Sequence, residues 1–225
     1  MAISAVGVVV PAHDEEALLP DCLDALEVAM KRVAAPAIAV VVLDDCHDRS
    51  AAVVAGRRHF QSLSMKARNV GRARAAGFEM LLGWGCAIPP DELWLATTDA
   101  DSTVPENWLE VQLRHADQGF EAVLGTVKVV DWTDRPEVVA KRFVARYDTR
   151  EDHAQVHGAN LGMTAAAYLA AGGMRPLELA EDRALAVSLA QRRVLRTARI
   201  PVTTSSRVSA RVRGGFATYL DSLSS

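Results

Sequence analysis

Cysteine is scarce in this chain of 225 residues, and Cys22, Cys46 and Cys86 are widely spaced with no CxxC pair. Such a set supports neither a disulfide framework nor a thiolate zinc site, and it suits a reducing, cytoplasmic setting. Long apolar runs are missing as well. AIAVVVL at 37–43 is of strand length, far short of the roughly 18 residues that a membrane-crossing helix needs. The opening MAISAVGVVVPA has no basic leader and runs into Pro11 and an acidic cluster, so no signal peptide is expected. No repeat or low-complexity tract interrupts the chain. Nor is there an excess of positive charge: the formal net charge is -3, which argues against binding nucleic acid.

Half of the residues are hydrophobic and 24% are charged, the balance of a soluble globular protein with one substantial core. We expect a single domain over 1–225. Charge is uneven along it, with Arg192, Arg193, Arg196, Arg199, Arg207, Arg211 and Arg213 crowding the last third. That stretch could face phosphates or an anionic membrane surface, or could be a solvated face with acidic partners elsewhere.

Short strand-like runs, the first of them β-branched, alternate with stretches of helical spacing. Ala5 to Val10, Ile38 to Leu43, Ser62 to Lys66 and Leu93 to Thr97 read as strands. Helices are expected from about Leu19 to Val33, from Ala51 to His59 and from Val70 to Leu82. Thr103 with Glu106 has the form of a capping box, so a helix should run from there to Asp117. Further on, 120–130 alternates as a strand, Pro136 opens a helix to about Glu151, and AAAYLAAGG ends in the glycines that follow a short helix. Residues 177–193 are amphipathic and VLRTARIPV is extended. Alternation of this kind implies an α/β fold: a Rossmann-like, mostly parallel sheet flanked by helices on both faces, with ligands at the carboxyl ends of the strands.

Acidic loops gather at those ends. His13, Asp14 and Glu15 follow the first strand, Asp44 and Asp45 the second, and Asp99 and Asp101 the fourth. In extended chain, residues i and i+2 point to one side, so Asp99 and Asp101 can address one ligand. A carboxylate pair suits Mg²⁺ or Mn²⁺, which fill their coordination with water and phosphate oxygens. Asp also favours turns and helix starts. The string DADSTV fits haloacid-dehalogenase-type phosphatases as well, with Asp99 as nucleophile and Asp101 as general acid, although that family sets the loop after its first strand.

In order along the chain, VVVPAHDEEALLPDCLDAL at 8–26, VVLDDCHDRS at 41–50, NVGRARAAG at 69–77, TTDAD at 97–101 and the span from HGAN at 157 to AED at 182 resemble the family-2 glycosyltransferases. The resemblance implies a GT-A fold, with a nucleotide-binding half over 1–101 and an acceptor-binding half over 102–225. It implies an inverting transfer from a nucleoside diphosphate sugar, a UDP-sugar by preference, to an acceptor hydroxyl. Asp44 or Asp45 would hold the base imide, and Pro11, Ala12, His13 and Glu15 would line the same pocket. Arg74 would pair with ribose or diphosphate oxygens, and Gly77 matches the glycine of that helix; Arg72 shares the ambiguity of Arg74. Asp99, Ala100 and Asp101 would meet the donor, and Asp101 with Asp99 the cation. Gly158 and Asn160 would lie beneath the donor sugar, with His157 an acceptor contact or metal neighbour. Glu181 and Asp182 match the family's ED pair, with Asp182 as catalytic base.

The resemblance leaves the acceptor open: a phosphorylated small molecule, a lipid, or an uncharged one. It is compatible with peripheral membrane contact, with a homodimer, and with a catalytically silent nucleotide-sugar binder. Departures are visible. Asp14 stands where the family commonly has Asn, QRRVLRT at 191–197 is not the processive QxxRW signature, and no histidine lies beyond His157 as a late metal ligand.

Overall fold

In a computed structural model, which describes residues 2–177, 179–208 and 215–224, the chain opens β1 (Ala5–Ala12), α1 (Leu19–Lys31), β2 (Ala37–Asp44), α2 (Ser50–Val54), β3 (Phe60–Met65), α3 (Val70–Trp84) and β4 (Leu93–Thr97). It continues β5 (Ser102–Thr103), α4 (Trp108–Asp117), β6 (Ala122–Lys128), α5 (Glu137–Arg146), β7 (Leu161–Thr164) and α6 (Ala165–Ala170). Then come α7 (Glu181–Ser188), a short 3₁₀ turn (Leu189–Gln191), β8 (Val194–Thr204) and α8 (Phe216–Ser222). The strands form one sheet in the order β3-β2-β1-β4-β7-β6-β8-β5. β1, β2, β3 and β4 run parallel, β7 is antiparallel to both β4 and β6, and β6 and β8 are parallel.

Alternation along each strand divides the core between the two faces of this sheet. Val6, Val8 and Val10 of β1 and Val41 of β2 pack with Leu23 and Leu26 of α1 and Trp108 of α4. Val9, Val40 and Val42 turn the other way, onto Phe78 and Leu81 of α3 and Leu185 of α7. Covered on both faces, the central strands are apolar throughout, as a buried parallel sheet requires. α3 lies close on β1 because residue 77 is glycine: a Cβ there would meet Val9 Cγ1 at 2.6 Å. Val139 and Phe143 of α5 make a smaller third cluster with Leu220 and Leu223 of α8.

The order β3-β2-β1-β4 places the reversal of strand order between β1 and β4, the position where an open α/β sheet leaves a crevice at its carboxyl edge. Ala12 and Thr97 end their strands there. Among the described residues no helix is long and apolar enough to cross a membrane.

Several expected boundaries move. Thr103 does not cap a helix; Ser102 and Thr103 pair with Thr204 and Thr203 of β8, and α4 begins only at Trp108. The second helix stops at Val54 because Gly56 follows with φ 84° and Phe60 enters β3 beside Ala39. The helix expected to reach Glu151 ends at Arg146, where Tyr147 turns extended. Arg211 and Arg213 lie outside the described residues.

Candidate active site

The carboxyl ends of β1 and β4 and loops of the second half enclose a cleft of about 840 Å³. Pro11, Ala12, His13 and Glu15 line it from β1, and Asp99, Ala100 and Asp101 from β4. Asp44 and Arg74 contribute, and Gly158, Glu181 and Asp182 face them from the second half. Asp45 and Asn160 do not line it.

Arg74 is the hub of its inner wall. Its side chain is 3% exposed and its guanidinium is ion-paired with both Asp99 and Glu181, while Nε donates to Thr97 Oγ1 at 3.3 Å. Burial opposes the charge of Arg74, but the carboxylates outweigh it and hold its pKa above the ordinary arginine range. Burial pushes the Glu181 carboxyl up, against the pull of Arg74. Gly158 is required by this arrangement: a Cβ at 158 would collide with the Arg74 guanidinium, which its ion pairs hold in place.

A second arginine, absent from the residues expected at the site, closes the outer wall. Arg207 Nη1 lies 2.7 Å from Glu15 Oε2 and its Nη2 lies 3.0 Å from Asp101 Oδ2. Each acid of the 99/101 pair therefore has its own arginine. Sequence offered no signal for Arg207 beyond its place in an arginine-rich stretch, since its partners are far away along the chain.

Asp44 has a structural duty beside its place in the lining. Its carboxylate accepts from the backbone N–H groups of Ala67 and Arg68 through Oδ1, at 2.6 and 2.9 Å, and of Asn69 through Oδ2 at 2.8 Å. It thus fixes the loop that enters α3, where the Asn69 side chain caps the helix through Arg72 N–H. Asp45, in the left-handed region at φ 55°, turns to Arg68 Nε at 2.7 Å. Asn160 lies behind the cleft wall rather than in it. It is 1% exposed, its Nδ2 donates to the carbonyls of Thr126 and Ile200, and its Oδ1 accepts from Trp108 Nε1. With its donors and acceptor engaged inside the core, it ties β6 to β8 and leaves the cleft to Gly158.

Asp182 stands on the second-half side. Its Oδ2 accepts from Gly158 N–H at 2.9 Å and its Oδ1 from Arg183 N–H at 2.7 Å. α7 begins after Ala180, held in the left-handed region at φ 59°. That costs roughly 1–2 kcal/mol for a residue with a Cβ, and it turns Glu181 inward toward Arg74 while Asp182 faces the opening.

Tyr147, His157, Phe216 and Tyr219 line the same side. Tyr147 Oη accepts from Val127 N–H at 2.9 Å and is 2.7 Å from His157 Nε2. Burial pushes the His157 imidazole down from 6.5 to about 4, so it stays neutral and bonded to tyrosine. The unfolded chain protonates this histidine near its ordinary value while the folded chain resists. Stability from this group is therefore complete above about pH 6.5 and is lost as pH falls toward 4. Denaturant midpoints should drop over that window in the natural protein and drop less in His157→Gln; equal slopes would reject the assignment.

The donor atoms of Glu15, Asp99 and Asp101 are all carboxylate oxygens, the chemistry of Mg²⁺ or Mn²⁺. Burial pushes Asp101 up to about 6, Arg207 opposes the rise, and repulsion from Asp99 and Glu15 adds to it. A cation held there would meet these carboxylates in competition with Arg74 and Arg207, which already pair with them. Among the described residues, the cluster whose donor atoms already lie within 4.8 Å of one another is a different one, Asp14, Cys46 and Asp48. There Asp14 Oδ1 accepts from His47 N–H at 2.6 Å and Asp48 Oδ2 from Glu16 N–H at 2.8 Å, so the carboxylates hold two loops together.

Comparison with known proteins gives this geometry a context. The family model described as "Glycosyl transferase family 2" matches residues 7–171. Among solved structures, S. aureus TarS 1-349 in complex with UDP-GlcNAc is similar with a TM-score of 0.68 and 14% identity, over 94% of this chain and 61% of that one. A second structure of S. aureus TarS 1-349 gives 0.65 and 14%, over 97% and 69%. S. aureus TarS gives 0.63 and 15%, over 97% of this chain and 42% of that one. At such identity the likeness concerns the fold, and this chain spans less than two thirds of the first of these structures and less than half of the last. No curated protein matches the chain.

Proposed function

The chain belongs to glycosyl transferase family 2 and has the GT-A fold, and on that premise we propose that it moves a sugar from a UDP-sugar to an acceptor hydroxyl with inversion at the anomeric carbon. One observation carries this reading: the acidic pair at the carboxyl end of β4 and the carboxylate of Asp182 face each other across one cleft. Residues 1–101 would hold the nucleotide and residues 102–225 the acceptor.

In this scheme the uracil lies against Pro11, Ala12 and His13 beside Asp44, and the ribose and donor sugar lie near Asp99. The acceptor enters along Tyr147, His157 and Phe216. Asp182 takes the proton from the acceptor hydroxyl as that oxygen attacks the anomeric carbon. The bond from that carbon to the phosphate oxygen breaks, and the diphosphate departs with the electron pair. General-base help of this kind contributes on the order of 10² to 10⁴ in rate. Asp101, with Asp99 or Glu15 beside it, would hold Mn²⁺ or Mg²⁺, which supplies Lewis-acid stabilisation of the charge growing on the diphosphate. Arg74, locked between Asp99 and Glu181, keeps Asp99 in place.

Gln155 supports an acceptor that carries hydroxyls. Its Oε1 is a buried acceptor with no hydrogen-bond partner among the described residues, and the residue lines the cleft on the Asp182 side. The exposed Arg146 and Arg183 at the same rim favour an anionic group on that acceptor.

A thermal-shift panel tests the reading. UDP with Mn²⁺ should raise the melting temperature by several degrees, UDP alone less, and other nucleoside diphosphates least. No shift with any nucleotide in either condition would remove the proposal. A shift without turnover of any UDP-sugar would reduce it to nucleotide-sugar binding.

A further inference from the structure

Arg207 is held too firmly to be an incidental surface arginine. The buried side chain of Arg135 clamps its backbone: Nε donates to the carbonyl of Ser206 at 2.6 Å and Nη2 to that of Arg207 at 2.8 Å. The Arg207 N–H donates to Ser205 Oγ at 3.1 Å. From this fixed base the guanidinium reaches into the cleft and bridges Glu15 and Asp101, whose side chains are 6% and 15% exposed. A planar fork between two carboxylates is the geometry that arginine serves best.

A divalent cation on Asp101 would sit about 2.0–2.2 Å from a carboxylate oxygen, and Arg207 Nη2 is already 3.0 Å from Oδ2 of that carboxylate. Two cations so close repel one another. The neighbouring cation, Arg74, is occupied by Asp99 and Glu181 and offers Asp101 no substitute.

We propose that Arg207 and the divalent cation exclude one another on Asp101: without nucleotide the arginine neutralises the acid and suppresses cation loading, and with nucleotide it swings on its clamped backbone to the diphosphate and leaves Asp101 to the ion. This rests on the nucleotide-sugar reading for the ligand that draws Arg207 away. Cation and nucleotide then bind cooperatively, each raising the affinity of the other by the same factor.

The test is titration of Mn²⁺ into the full chain, followed by calorimetry or by the free-Mn²⁺ electron paramagnetic resonance signal. Without nucleotide, Arg207→Ala and Arg207→Gln should bind Mn²⁺ at least about tenfold more tightly than the natural protein, the scale on which a close opposite charge shifts a carboxylate equilibrium. The gain should vanish when Asp101→Ala is added, which separates this site from Asp14 and Asp48. UDP should tighten Mn²⁺ binding about tenfold in the natural protein and much less in the variants. Equal nucleotide-free affinities in natural protein and variants overturn the proposal. So does a natural protein whose Mn²⁺ affinity UDP leaves unchanged, a measurement that stands even if both variants fail to fold. UDP binding followed in parallel separates the two claims: its absence counts against the transferase reading, and its presence beside unchanged Mn²⁺ affinities overturns the competition alone.

Discussion

Asp182→Asn should bind UDP as the natural protein does and lose donor turnover by a factor of about 10² to 10⁴, the range a positioned general base contributes. The substitution is nearly isosteric and removes the one property the proposed step needs, a basic oxygen. Asparagine can still accept from Gly158 N–H, so the loop beneath the donor keeps a partner. Loss of one negative charge in the first turn of α7 costs a few tenths to about 1 kcal/mol of stability, too little to unfold the chain. Release of UDP from a UDP-sugar, with and without candidate acceptors, measures the effect, and calorimetry with UDP supplies the control. Turnover within a few-fold of the natural enzyme would assign the base to another residue. Loss of UDP binding would make Asp182 a donor contact.

Arg74→Ala should destabilise the fold by about 3–5 kcal/mol, the cost of leaving the buried Glu181 carboxylate without its partner. Against a total stability of roughly 5–15 kcal/mol, this is a large share. Asp99 and Glu181 would face each other with no guanidinium between them, and the space that Gly158 leaves for it would become a void. Arg74→Lys should recover only part of the loss, because one ammonium cannot satisfy two carboxylates and Thr97 at once. Urea midpoints measure both variants. A loss under about 1 kcal/mol for the alanine variant would mean that the wall reorganises around water, and that the arginine serves the ligand alone.

Much of this molecule was legible in its sequence because the signals were local. The apolar runs of β1, β2 and β4 are buried on both faces, so their composition announces them without help from the rest of the chain. The acidic loops could be placed at the sheet edge once the βα alternation was seen, and Pro11, Ala12, His13, Glu15, Asp99 to Asp101 and Asp182 do line one cleft. Where the reading failed, distant partners had overruled local preference. Thr103 has the form of a helix cap, yet β8 recruits it as a strand. Asn160 sits in a stretch that resembles a sugar-binding segment, yet the carbonyls of β6 and β8 and the Trp108 indole take its side chain. DADSTV matches a phosphatase string as well as a transferase one; the family match over residues 7–171 supports the second. The Arg207 bridge could not be read at all, because an ion pair between such distant residues leaves no trace in spacing or periodicity.

The same bridge says something about the order in which the protein is made. Its two ends, Glu15 and Arg207, are 192 positions apart, so during synthesis the bridge cannot form until residue 207 has left the ribosome. The early strands can pair long before that, since their contacts are short-range and closing a long loop comes at a greater entropic cost. A nascent chain therefore passes through a stage in which the early strands have paired while Glu15 and Asp101 still lack the guanidinium of Arg207.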